Sequence, residues 1–183
     1  MNMSRAVDDV IITAATGNAL DGDGGNVGFP AGQVIGSAST VMSLDVVLQV
    51  DELFGQNDVD PDEAKVMVIN PTIKRKLMQL LEVTSSDFQA QKALATGVLP
   101  NWMGYTWIVS NRLLNPDAAD GDVSCLAFTK KALGLHVARD ITAKVGERTD
   151  MSFAWQLYCM MSMAAVRVED EHIVHVHLKN SIS

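Results

Sequence analysis

Apolar residues recur along this chain at two different spacings, and the two spacings predict different elements. Three- and four-residue spacing, which places side chains on one face of a helix, occurs over residues 4–16, over 40–54 and after Asn70-Pro71. Asparagine is a favoured helix N-cap and proline suits the first helical position, so the third helix is expected to begin at Pro71. The first helix is expected to end at Gly17-Asn18 in a left-handed cap.

The remaining segments predict loops and strands. Residues 21–36 are rich in glycine and polar side chains, which predicts an exposed loop. Residues 84–99 and 115–122 are polar or turn-rich and predict further loops. Short runs rich in β-branched, aromatic or other apolar residues predict strands at Lys65–Ile69, Tyr105–Ser110, Cys125–Phe128, Leu133–Val137, Ile141–Val145 and Ile173–Leu178.

The longest periodic signal lies between Met151 and Arg167, where every odd position up to Ala165 is apolar. Helical spacing also fits parts of this segment, because many even positions are apolar too. We favour a long, bent strand, since two-residue alternation continues far beyond a usual strand length. Val168–Asp170 then predicts a turn before the last strand. Together these elements predict an α+β fold with helices and an antiparallel sheet.

Composition is that of a folded protein without a strongly basic surface. The chain has 183 residues, 48% hydrophobic and 20% charged, which suits one domain or a compact two-lobed one. Its formal net charge is −8, and its densest basic cluster, Lys74-Arg75-Lys76, falls in a predicted helix and is read as a solvated helix face. Phosphate-driven nucleic-acid binding is therefore not expected. There is neither a signal-peptide pattern nor an apolar run near ~18 residues, so no membrane association is predicted.

Candidate chemistry in the glycine-rich segment fails on spacing. A dinucleotide loop would need a glycine where Val27 stands, and the segment follows a helix instead of a strand. A calcium loop would need ligands where Gly25 and Gly32 stand. Cys125 and Cys159 lie in separate apolar stretches, and we expect both to be buried, reduced thiols.

Three histidines near the end of the chain form the remaining candidate site. His175 and His177 would share one face of a strand, where two imidazoles suit a metal, and Asp170 or Glu171 could add a third ligand. His172 would fall on the opposite face. A solvated or interfacial role is favoured for these histidines. We therefore predict no catalytic, cofactor-binding or metal residues and no cofactor.

Four stretches, taken in order, resemble the major capsid proteins of tailed bacteriophages, whose fold is shared with encapsulin shells. RAVDDVIITAATGNALDGDGG is similar to the end of the family's spine helix and its glycine-rich loop. KVMVINPTIKRKLMQLL resembles the strand, Asn-Pro and helix unit of the axial domain, and GVLPNWMGYTWIVSNRL the segment that crosses it. CLAFTKKALGLHVARDITAKVGERTD, with the long strand and VRVEDEHIVHVHLKN, resembles the return into the peripheral domain.

The resemblance implies a phage major-capsid-like fold and a structural function. Residues 1–38 would be the spine-helix end and glycine-rich loop of the peripheral domain, 39–145 the axial domain, and 146–183 the long and closing strands of the peripheral domain. The subunit would be no enzyme. It would join copies of itself head to tail into pentamers and hexamers that enclose the genome, assembled in the bacterial host cytoplasm into a virion capsid. Scaffolding, portal or decoration proteins are candidate partners, and loops 84–101 and 115–122 and the long strand are expected contact surfaces.

One departure from the family pattern changes the expected assembly. Family members normally carry an N-terminal arm and an extended hairpin loop before the spine helix, whereas here a helix begins almost at Met1. We therefore expect a truncated spine helix and, at modest concentration, a monomer or small oligomer. Alternatives are an encapsulin-like shell, a phage tail or decoration protein forming trimers or tubes, and a metal-binding or enzymatic domain that uses His172, His175 and His177.

Overall fold

A computed structural model describes residues 2–37, 39–79, 101–113 and 122–180. Within these residues the helices are α1 (Asn2–Thr16), α2 (Leu44–Gln56) and α3 (Pro71–Gln79). The strands are β1 (Ala19–Leu20), β2 (Asn26–Val27), β3 (Val34–Gly36), β4 (Lys65–Ile69), β5 (Tyr105–Val109), β6 (Asp122–Thr129), β7 (Leu133–Arg148), β8 (Ala154–Arg167) and β9 (Ile173–Lys179). Two 3-10 turns, Ala31–Gln33 and Asp170–His172, precede β3 and β9. None of the helices that the structure describes is long and apolar enough to cross a membrane.

A five-stranded mixed sheet forms the body, in the order β3-β9-β6-β4-β5. β6 is antiparallel to both β4 and β9, as the predicted antiparallel sheet requires. The prediction is wrong for β3–β9 and β4–β5, which are parallel pairs. Parallel neighbours need a long connection, and the chain from β4 to β5 supplies one that includes α3.

Helices cover both faces of this sheet. α2 and α3 bury Val47, Phe54 and Ile73 against one face. α1 buries Ile12 and Ala15 against the other, near Leu126 and Ile173. β6 lies between the two cores and is buried on both sides, which explains why its sequence reads as a continuous apolar run.

The strands β7 and β8 form a separate two-stranded antiparallel hairpin. The predicted long strand is confirmed as β8, whereas the two strands predicted at Leu133–Val137 and Ile141–Val145 are one strand, β7. Register shifts between Val137 and Thr142 make β7 irregular at the point where the sequence pattern breaks. Ser152 and Phe153 adopt left-handed backbone angles at the hairpin tip.

Several local predictions can be compared with the observed elements. Asn70 caps α3 as predicted, since its Oδ1 accepts a hydrogen bond from the Ile73 backbone N–H at 2.8 Å. The left-handed cap at Gly17-Asn18 is wrong, because Gly17 continues the helical pattern by donating to Thr13 O at 2.8 Å and neither residue has a positive φ.

The segment 21–36 is only partly the predicted exposed loop. It contributes β2 and β3, and Ile35 is buried because β3 pairs with β9. The loops predicted at 84–99 and 115–122 lie outside the described residues except for Asp122, which begins β6 instead of ending a loop.

Strands from different predicted domains pair with each other. β9 shares a sheet with β4, β5 and β6, while β7 pairs with β8. The division into 1–38, 39–145 and 146–183 stays a prediction.

Candidate interaction surfaces

The β7–β8 hairpin has one apolar face that is largely uncovered. Alternation along β8 places the odd-numbered side chains together, and near its end α1 packs against this strand, so Ala165 is half-buried. Towards the tip the same face is open: Trp155 is 76% exposed, Leu157 68% and its cross-strand partner Val145 66%, with Glu147 across from Trp155. We call the residues Val145, Trp155 and Leu157 the apolar face.

The opposite face of the hairpin is mixed. Lys144 lies there across from Tyr158, Arg139 from Ser162 and Arg148 from Ala154, while Tyr158 and Val166 are exposed on it as well. The most exposed large apolar side chains of β8, Trp155 and Leu157, belong to the first face. Contiguous exposed apolar surface of this kind is typical of interaction sites and ligand-binding grooves.

Arg167 connects the base of the hairpin to three other segments. Its guanidinium has no exposed surface and forms an ion pair with Asp170. It donates to Gly17 O at 2.6 Å, to Gly28 O at 3.0 Å and to Val27 O at 3.2 Å. We call Arg167, Asp170 and these three carbonyls the root cluster.

The root cluster is not predicted from the sequence, in which Arg167 is only the end of the alternating segment. The usable signal was an arginine on the buried phase of a strand with an aspartate three residues later, because a buried guanidinium requires a carboxylate and further acceptors.

His172 lies in a geometry that resembles a catalytic triad. Its Nδ1 is 2.8 Å from Thr129 Oγ1, and its Nε2 is 3.0 Å from Glu169 Oε2. Hydroxyl, imidazole and carboxylate thus stand in the order used for nucleophilic catalysis. Thr129 is completely buried, however, so its hydroxyl is out of reach of a substrate in this structure. The arrangement ties β6 to the turn before β9.

His175 and His177 share a strand face as predicted. Their ring centroids are 4.3 Å apart, and His177 Nε2 lies 3.2 Å from His175 Nδ1. Burial, reinforced by the neighbouring His177, lowers the pKa of His175 to about 4. Of the proposed third ligands, Asp170 is engaged by Arg167. No group of three His, Cys, Asp or Glu suited to a metal occurs in the part of the chain that the structure describes.

Two predictions about single side chains are wrong. Lys76 is buried instead of lying on a solvated helix face, and desolvation, followed by repulsion from Lys179, lowers its pKa. Cys125 is buried as predicted, with its pKa raised to about 12 by desolvation. Cys159 is exposed, because the hairpin has no core around its outer half.

In the glycine-rich segment, Asp21 Oδ1 accepts a hydrogen bond from the backbone N–H of Gly25 at 2.6 Å.

Comparison with known proteins bears on these surfaces. A family model described as phage capsid protein matches residues 1–180. A search of curated proteins finds no match.

Solved structures of similar fold come mainly from shells. A chain of Mycobacterium phage Che8 is 18% identical with a TM-score of 0.69, over 96% of this chain and 57% of that one. The capsid of cyanophage P-SCSP1u is 22% identical with a TM-score of 0.67, over 98% and 63%. The SrpI encapsulin of Synechococcus elongatus PCC 7942 is 10% identical with a TM-score of 0.60, over 98% and 63%. The chain therefore spans about three fifths of these chains, and the predicted capsid-like fold is confirmed.

Proposed function

Since the chain belongs to the phage capsid protein family, we propose that it is a structural subunit of an icosahedral phage or prophage capsid. In this role it carries out no reaction and joins copies of itself head to tail into pentamers and hexamers around the genome. The apolar face of the β7–β8 hairpin is the observation that carries the proposal, because it leaves large side chains uncovered beside an otherwise well-packed body.

The body and the hairpin would have different tasks. The five-stranded sheet with its covering helices forms the packed body, whereas the hairpin projects the apolar face away from it. Contacts between different patches on identical subunits are heterologous and close into rings when the rotation per subunit divides a full turn. Burial of one large apolar side chain contributes about 1.5–3 kcal/mol, so the apolar face supplies a substantial part of a contact.

The two hairpin faces provide a matched test. Leu157→Lys places a charge on the apolar face, while Gln156→Lys places the same charge on the opposite face one residue away, across from Gly146. We expect Leu157→Lys to weaken self-association, measured by light scattering against concentration, by at least about tenfold, which corresponds to ~1.4 kcal/mol. Gln156→Lys should stay close to the unsubstituted chain, and thermal unfolding should be unchanged in both because the sites are exposed. Equal effects of the two substitutions would contradict the use of this face.

The likeness to an encapsulin favours one alternative, a shell that encloses protein instead of a genome. Particles purified from cells that make this chain would separate the two functions. Nuclease-protected DNA inside the particles supports a capsid, and protein cargo without DNA supports an encapsulin-like compartment. Scaffolding, portal or decoration proteins as partners, and assembly in the bacterial host cytoplasm, belong to the capsid proposal.

The domain division is part of the same proposal. Residues 39–145 would form the axial domain, with 1–38 and 146–183 in the peripheral domain. The limit at 145 falls within β7, and limited proteolysis with mass mapping of the stable fragments tests the limits.

A further inference from the structure

The orientation of the hairpin depends on a small region at its base. Beyond the pairing of its own strands, its main described contacts are with α1 and β1. One backbone hydrogen bond, from Val168 N to Ala132 O at 2.9 Å, closes the base where β8 leaves the hairpin. The outer half, including Trp155, makes little contact with the body and is exposed.

Because the hairpin is long, its tip is sensitive to any rotation at the base. β7 contains 16 residues, which at the rise of a strand corresponds to a length of about 50 Å. A rotation of about 5° at the base would move the tip, and with it the apolar face, by roughly 4 Å over that length. Such a displacement is comparable with the separation of contacting side chains, so the base geometry decides where the apolar face meets a neighbour.

Arg167 joins the segments that define this base. Its three carbonyl acceptors lie just after α1 (Gly17), at the end of β2 (Val27) and just beyond it (Gly28), and its carboxylate partner Asp170 lies in the turn before β9. The guanidinium carbon also lies 5.1 Å from the centre of the Phe29 ring. One side chain on β8 therefore fixes the hairpin relative to the helix, the glycine-rich segment and the sheet.

The chemistry of arginine suits this role. A guanidinium presents five N–H donors in a rigid planar fork, whereas the lysine ammonium has a single centre and cannot reach acceptors on three segments at once. Its positive charge also lies at the C-terminal end of α1, where the helix dipole favours a cation. The charge is tolerated in the interior because it is paired with Asp170 and donates hydrogen bonds to three backbone carbonyls.

We propose that Arg167 is a positioning residue which sets the angle between the β7–β8 hairpin and the body, and through that angle the curvature of the assembled shell. The statement about curvature rests on the proposed function. The statement about the angle concerns the single subunit and is tested without assembly.

The angle is measured with two spin labels on the full chain. One label goes on the native, exposed Cys159 of the hairpin, and the other on Leu48→Cys, an exposed position of α2. Cys125 is buried and is not expected to react. Cys159 lies about halfway along the hairpin, so a rotation of about 5° at the base moves it by roughly 2 Å. Arg167→Lys should therefore shift or broaden the distance distribution by at least about 2 Å. The matched control is Arg148→Lys near the tip of the same hairpin, where the guanidinium pairs with Asp150 and is exposed; it should leave the distribution unchanged.

Two further outcomes keep the inference testable. If Arg167→Lys lowers the melting temperature but leaves the distance distribution unchanged, Arg167 only stabilises the fold and the inference is overturned. If Arg167→Lys does not fold, Asp170→Asn replaces it, because it keeps the arginine and removes its ion-pair partner; an unchanged distribution there also overturns the inference.

The diameter of assembled particles is the second measurement. With an altered angle, Arg167→Lys particles should differ in diameter from those of the unsubstituted chain, and identical diameters would overturn the statement about curvature. An unsubstituted chain that never assembles would instead contradict the proposed function, while the measured angle would still decide the role of Arg167 in the subunit.

Discussion

The free energy of unfolding should fall between pH 7 and pH 5. Replacing His175 by glutamine should make this fall about 2 kcal/mol smaller. The imidazole lies edge-on to Phe29, with ring centroids 5.6 Å apart, and its Nε2 is buried with no hydrogen-bond partner among the residues that the structure describes. Burial, and secondarily the neighbouring His177, lowers the pKa of His175 from 6.5 to about 4. Neutral His175 is thus the form that the native structure accommodates.

The sign of the effect follows from proton linkage. A histidine with a lowered native pKa binds its proton more tightly in the unfolded state, so stability is fully present above about pH 6.5 and falls as the pH drops towards 4. At pH 5 the unfolded imidazole is mostly protonated and the native one mostly neutral. At pH 5, proton binding by this imidazole favours the unfolded state over the native state by a factor of roughly 30, which corresponds to about 2 kcal/mol.

The assay is urea unfolding at pH 7 and at pH 5, with the change in unfolding free energy between them as the readout. Comparing this change between variants separates His175 from the carboxylates, which titrate in every variant. The matched control is His136→Gln, because His136 is exposed on β7. We predict that the control loses as much stability as the unsubstituted chain, and His175→Gln clearly less. An equal loss in His175→Gln would refute the assignment of the destabilisation to this buried imidazole.

Three further substitutions test local parts of the fold by chemical denaturation. Asn70→Ala removes the cap of α3 and should cost about 1 kcal/mol, whereas a loss near zero would contradict the cap. Phe54→Ala removes a fully buried side chain of α2 from the core and should lower the free energy of unfolding by about 3–5 kcal/mol. A decrease below ~1 kcal/mol would contradict its place in the core. Gly36→Ala should destabilise, because φ there is +83° and a Cβ would approach His177 O to 2.4 Å, whereas the control Gly146→Ala meets no atom within 4 Å; equal effects would contradict this backbone geometry.

The parts of the fold that sequence predicted well are those determined by local patterns. β4 matches its predicted limits, because a short apolar run ends at an Asn-Pro pair that begins α3. β8 follows its two-residue alternation. Both signals lie within a few neighbouring residues, and the order of such segments was also sufficient to indicate the capsid-like fold.

The parts that sequence did not predict depend on distant contacts. β3 is a short strand within a glycine-rich segment and forms because β9 lies beside it, more than a hundred residues later. Lys76 is buried through the packing of α3, although its neighbours in sequence are also basic. Arg167 acquires its role from carbonyls at Gly17 and Gly28, which no local pattern connects to it.

The most direct test of the central claim, that this chain is a self-associating shell subunit, is its size distribution over a wide range of concentration. Light scattering with and without a crowding agent, followed by negative-stain imaging of the same samples, gives both mass and shape. The account predicts association that grows with concentration and crowding and produces five- and six-membered rings, curved sheets or closed shells. A chain that remains a monomer throughout, even with crowding agent present, would contradict the claim.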